Sequence, residues 1–144
     1  MVAQHTGRYH SLLEQSQNSA AKLLDLLNDE SQILTQRQFE SLPELLTQKQ
    51  ELIRQLELHE TERNLLLSNA GFAADKSGHI DFIQQSGDPA LSSLWDTFIS
   101  TISECQDANQ KNAVIVEKSQ INISQLLGVI QATHQDINRN ASTY

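Results

Sequence analysis

The chain has 144 residues, a formal charge of −8 and a pI near 4.9, with no run of Lys or Arg of the kind a phosphate backbone requires. Nucleic acid and anionic membrane surfaces are therefore excluded as expected partners. Aromatic residues make up 5% and hydrophobic residues 38%, too lean for a round core but sufficient for an elongated bundle whose helices each bury one stripe. A single cysteine, Cys105, allows no internal disulfide and fits a reducing cytoplasm. The opening MVAQHTGRYH has no apolar run to serve as a signal peptide. No apolar stretch approaches the roughly 20 residues of a membrane span, so membrane insertion is not expected.

The first predicted helix covers about 4–34. Tyr9, Leu12, Leu13, Ala20, Leu23, Leu27 and Leu34 recur there at spacings of three and four. A bend is expected near 35–39. Ser41 then stands as N-cap of a second helix over about 41–70. Pro43 falls in its first turn and Glu44 completes a Ser-x-x-Glu capping box. The alternative, a helix starting near Arg37 and kinked at Pro43, is the weaker reading. Leu42, Leu45, Leu46, Leu52, Ile53, Leu56, Leu66 and Leu67 form the apolar stripe, and Gly71 is placed just past the helix end. Residues 71–88 hold most of the glycines, and a short helical turn over about 79–85 is expected to cap one end of the bundle.

Asp88-Pro89 reads as N-cap and first helical residue. A third helix is predicted from 89 to about 138, some 70 Å long if straight, followed by a mobile tail at 139–144. Its seam runs through Leu91, Trp95, Phe98, Ile102, Cys105, Asn109, Asn112, Val116, Ser119, Ile123, Leu126 and Ile130 in steps of three and four. The fold class is thus all-α: one domain, an elongated antiparallel helical hairpin or three-helix bundle with coiled-coil-like packing and a long C-terminal helix.

Chemistry is hard to find in this pattern. Five histidines occur, but no Glu lies three residues before one, so a di-iron bundle is not expected. His59 has Glu57, Glu60 and Glu62 nearby, scattered around the helix rather than gathered on one face. Cys105 reads as a small buried hydrophobe. No phosphate loop, nucleophile elbow or Cys-x-x-Cys is present. Neither a catalytic residue nor a metal or cofactor site is predicted. The sequons at Asn122 and Asn140 are expected to be silent. Lys49 and Arg63 fall on the seam of helix two. Snorkelling, with stems on the core and heads in water, is the first reading; pairing with acids of the facing helices is the second. Asn109 and Asn112 either set register or bond a partner's backbone, with register preferred.

The segment FESLPELLTQKQELIRQLELHETERNLLL resembles the FlgN-type flagellar export chaperones. The matching positions are Lys49, Leu52, Ile53, Leu56 and Arg63, then Leu91, Leu94 and Trp95, then Asn109 and Asn112, and finally Tyr144. The likeness covers nearly the whole chain. Family members carry a short glycine-containing tail after that Tyr, whereas this chain stops at it. The resemblance implies a cytoplasmic chaperone of hook-associated (hook-filament junction) proteins that binds their C-terminal segment. It also implies delivery to the flagellar export gate, with Tyr144 as the contact. The apolar face of the third helix is the expected client groove: Val114, Ile115, Val116, Ile121, Ile123, Leu126, Leu127 and Ile130. The alternative reading of these residues is packing against helix one, and the alternative function is a self-associating structural coiled coil.

Overall fold

The computed structural model describes residues 2–118 and 132–139. Within them the chain is helical, without strands. Helix α1 spans Val2–Gln36, α2 Leu42–Asn69, α3 Lys76–Ser86 and α4 Pro89–Lys118. Residues 132–139 are also helical, and this stretch is called α5.

Local chemistry explains the boundaries. Arg37 takes a left-handed φ of 58° after α1, and the Gln38 N–H donates back to the Ile33 carbonyl at 3.0 Å. A 3-10 turn, Phe39–Ser41, then leads directly into α2 with Pro43 in its first turn. The capping box does not form. Ser41 is itself helical (φ −85°, ψ −10°), and its hydroxyl makes no cap hydrogen bond, because an N-cap normally needs extended backbone. At the other end Gly71 has φ 87°. Its N–H donates to the Ser68 carbonyl and that of Phe72 to the Leu67 carbonyl, the paired bonds of a Schellman motif.

Helix α3 is longer than the turn expected at 79–85. Asp75 caps it by accepting from the Gly78 N–H at 2.8 Å. Gly78 has no room for a side chain, since a Cβ there would lie 1.7 Å from the Ala73 carbonyl oxygen. Asp88 caps α4 through the Ala90 N–H at 3.0 Å, with Pro89 at the first helical position.

Helix α1 packs against both α2 and α4. Leu34 and Val116 share one end, and Tyr9, Phe82 and Trp95 the other. Helices α1 and α4 therefore run the same way and α2 runs against them, with α3 lying across the aromatic end. The single straight helix expected over 89–138 is not what the structure has. It would carry His134 about 37 Å beyond Asn109, yet the Asn109 amide nitrogen lies 2.7 Å from His134 Nδ1. Ile137 sits in the main core beside Ile102 and Cys105. Helix α5 thus runs antiparallel to α4 and fills the space between α4 and α2. Burial drives this: the α2–α4 side would otherwise leave its apolar stripe in water.

Candidate functional site

Among the described residues the core comprises two apolar clusters. The larger runs from Tyr9, Phe82 and Trp95 down to Leu27, Leu52 and Ile137, and the smaller holds Leu34, Leu42, Leu45, Leu46 and Val116. A fully buried polar layer lies between them. Lys49 and Glu30 are each 0% exposed. The Lys49 ammonium donates to both Glu30 oxygens at 3.1 Å and to Asn109 Oδ1 at 3.2 Å, so each of its three hydrogens has an acceptor. Asn112 Nδ2 donates to Glu30 at 2.7 Å and to the Leu27 carbonyl at 2.9 Å. Asn109 Nδ2 reaches on to His134. One chain of bonds thereby joins α1, α2, α4 and α5. Burial holds the Lys49 pKa below that of free lysine, opposed by the Glu30 charge and its hydrogen bond.

The snorkelling reading of Lys49 and Arg63 is corrected by these positions. Both side chains are 0% exposed, because Glu30 of α1 and Asn109 of α4 enclose the Lys49 head and Ser16 of α1 and Phe98 of α4 the Arg63 head. Arg63 donates to Ser16 Oγ and lays its guanidinium 5.3 Å from the Phe98 ring centroid. Asn109 and Asn112 bond within the chain. Leu52, Ile53, Leu56, Leu91 and Trp95 are core residues, and Leu94 is half-buried against that core.

Two partners went unread in the sequence. Glu30 and Ser16 lie on the α1 seam, in the series Ser16, Ala20, Leu23, Leu27, Glu30, Leu34. A polar residue in such a series marks a buried partner for the cations opposite. His79 is the third omission. It is 0% exposed, and its ring stacks 5.3 Å from Trp95 at 18°. Its Nδ1 accepts from the Tyr9 hydroxyl at 2.7 Å, and Nε2 donates to Asn64 Oδ1 at 2.9 Å, a pairing that fits the neutral ring.

Burial, and secondarily the Arg63 charge, lower the His79 pKa to about 4 from 6.5. Between those values the unfolded chain binds the extra proton, so stability rises with pH across that window and is lost as pH falls through it. The loss attributable to His79 is about 3 kcal/mol at most. Urea unfolding at pH 4.5 and 7 should therefore show a smaller pH difference in His79→Phe than in the wild-type chain. Equal differences in both would exclude His79 as the source.

Cys105 is sealed. Its thiol faces the Ala20 carbonyl at 3.4 Å, and burial, with Glu104 adding, pushes its pKa up to about 12. That is the opposite of a nucleophile's setting. Among the described residues no cluster of three His, Cys, Asp or Glu is placed to hold a metal, and no helix is long and apolar enough to cross a membrane.

Of the expected groove, Val116 is buried in the smaller cluster, Ile115 packs against it, and Val114 is half-buried. Val116 thus points into the smaller cluster between α1 and α2, with Ile115 at its edge. Ile121, Ile123, Leu126, Leu127, Ile130 and Tyr144 lie outside the described residues. Two open grooves run along the outer α1–α2 face, of about 430 and 410 Å³. Leu26, Leu45 and Leu52 are among their apolar lining residues, and Asp25, Asp29, Glu44 and Glu51 among the acidic ones.

The described residues thus form an all-helical bundle with long amphipathic faces. Its family follows from comparison: the family model described as FlgN protein matches residues 1–144, and the chain belongs to that family, one of flagellar chaperones. Its fold is similar to the crystal structure of a flagella synthesis protein FlgN from Pseudomonas aeruginosa. The two are 26% identical over 90% of this chain and 93% of that one, with a TM-score of 0.74. No curated protein matches the chain significantly.

Proposed function

We propose that this chain is a cytoplasmic export chaperone for hook-associated proteins. In this reading it binds the C-terminal segment of its client, keeps the client from premature association and delivers it to the flagellar export gate. The observation that carries the proposal is the FlgN family match across residues 1–144. The physical chemistry supports it. A client terminus that is disordered when free folds as an amphipathic helix against an apolar face. Ordering that segment offsets part of the contact energy and keeps the complex releasable. The apolar positions Ile121, Ile123, Leu126, Leu127 and Ile130, next to the half-buried Val114 and Ile115, are assigned to client contact. Tyr144 is assigned to the export gate.

Deletion of the gene in its own bacterium tests this. The expected result is loss of swimming and of hook-associated proteins from the culture supernatant, while hook protein is still exported. Normal secretion of hook-associated proteins by the deletion strain would contradict the proposal.

A further inference from the structure

The two open grooves of the outer α1–α2 face share Leu26 and Gln48 and form one trough. Along α1 it runs from Lys22 to Gln36, about 21 Å or four helical turns. Its floor is apolar. Leu26 and Ile33 of α1 stand seven residues apart, as do Leu45 and Leu52 of α2. Both pairs follow the heptad spacing by which helices receive the side chains of another helix.

The walls are acidic. Asp25 and Asp29 border the floor on α1, and Glu44 and Glu51 border it on α2; among the described residues Lys22 is the one cation of the lining. All four carboxylates are exposed. Arg54 holds Glu51 at 2.6 and 2.9 Å. Asp25, Asp29 and Glu44 pair with no cation among the described residues. Asp25 and Asp29 lie one turn apart, where like charges oppose helix formation. Acidic residues on a solvent face are ordinary by themselves. Here they stand on both walls of an open trough with a heptad-spaced apolar floor, and that combination specifies a ligand.

We propose that this trough docks a basic amphipathic helix of a second protein, about four turns long, apolar along one stripe and carrying Lys or Arg on both flanks. The floor would hold the stripe, and the walls would orient the flanks and speed encounter. Another copy of this chain does not fit. It has 18 acidic residues against 10 Lys and Arg, without a basic run, and Lys49 and Arg63 are buried. A metal ion does not fit either, since no three His, Cys, Asp or Glu converge among the described residues. The lining residues named here are not those assigned to the client or the export gate, so the inference goes beyond the chaperone reading and does not depend on it.

The test uses the full chain and a fluorescent peptide of about four turns, with leucine at heptad positions and lysine on both flanks. One control peptide has the same composition in scrambled order, and another has glutamate for every lysine. Three variants change exposed residues only. Asp25→Lys/Asp29→Lys reverses one wall. Gln48→Arg places a cation where the two grooves meet. Asp81→Lys/Asp96→Lys makes the first variant's charge change on α3 and α4 instead. The patterned peptide is expected to bind wild type saturably, with the glutamate peptide not binding. Binding should weaken about tenfold in Asp25→Lys/Asp29→Lys and about threefold in Gln48→Arg. At about 0.15 M salt, where charges more than about 8 Å away are screened, the α3–α4 variant should stay within about twofold of wild type. Equal binding of the scrambled peptide, or equal weakening by both charge-reversal pairs, would reduce the effect to net charge and overturn the docking site. Absence of binding by the patterned peptide would overturn it as well. Competition between the peptide and a C-terminal fragment of a hook-associated protein would make the trough the client's own groove and overturn its assignment to a second protein.

Discussion

Lys49→Met is expected to destabilise the bundle by about 3–5 kcal/mol, because it leaves the Glu30 carboxylate buried without its cation. Glu30 is 0% exposed and takes two hydrogen bonds from Lys49. Met fills a similar volume, so lost packing contributes little to the effect. Removing both charges in Lys49→Met/Glu30→Leu should recover most of the loss, since replacing a whole buried pair is often neutral. Recovery will be incomplete because Asn109 loses Lys49 as a donor and Asn112 loses Glu30 as an acceptor. The check is a double-mutant cycle by urea denaturation. A single mutant within about 1 kcal/mol of wild type would mean the pair is reached by water and the layer is not closed. The layer also bears on specificity. It joins four helices at one level, and sliding any one of them by a turn would strand a buried polar group.

The second large effect is expected at Arg63, where a change that keeps the charge still costs about 2 kcal/mol. Arg63→Lys preserves a cation but not the planar fork that donates to Ser16 while lying over Phe98. An ammonium on a flexible stem satisfies one of those contacts and not both. Arg63→Ala should cost about 4 kcal/mol, adding the loss of a fully buried stem to the loss of the donors. Thermal unfolding of the two variants separates the contributions. If Arg63→Lys unfolds within about 0.5 kcal/mol of wild type, the guanidinium geometry is not what the site requires.

These two residues also show how far the sequence could be read. Their place on the seam of α2 was legible, because three-and-four spacing reports which face is buried. Their depth was not, because spacing along one helix does not say how completely its neighbours cover that face. Snorkelling presumes an open edge, and side chains of α1 and α4 enclose both heads instead. Glu30 and Ser16 carried a usable signal as polar residues inside an otherwise apolar series on α1. His79 carried none, since its burial depends on α3 folding across Tyr9 and Trp95, a long-range event.

Punctuation was the most legible feature. Asp88-Pro89 and Gly71 mark helix ends through backbone chemistry that needs no tertiary context. Ser41 was misread as a side-chain cap because the motif matches residue types, whereas capping depends on φ and ψ. The last third of the chain was the hardest to read. Its three-and-four spacing, interrupted only by Gly128, carries no stop signal, and so the antiparallel return of Ile137 into the core was invisible to periodicity. The Val114–Val116 region shows the same limit from the other side. An apolar face read as open for a client is, at Val116, already packed against α1 and α2.

The central claim, that this FlgN-family chain acts by holding one client terminus, is tested most directly by calorimetric titration with C-terminal fragments of the hook-associated proteins, alongside light scattering of the complex. The account predicts saturable one-to-one binding at about micromolar affinity or better, a binding free energy of roughly −8 kcal/mol, and a heterodimer mass. Absence of binding to any such fragment, together with a stable homo-oligomer of the chain alone, would contradict it.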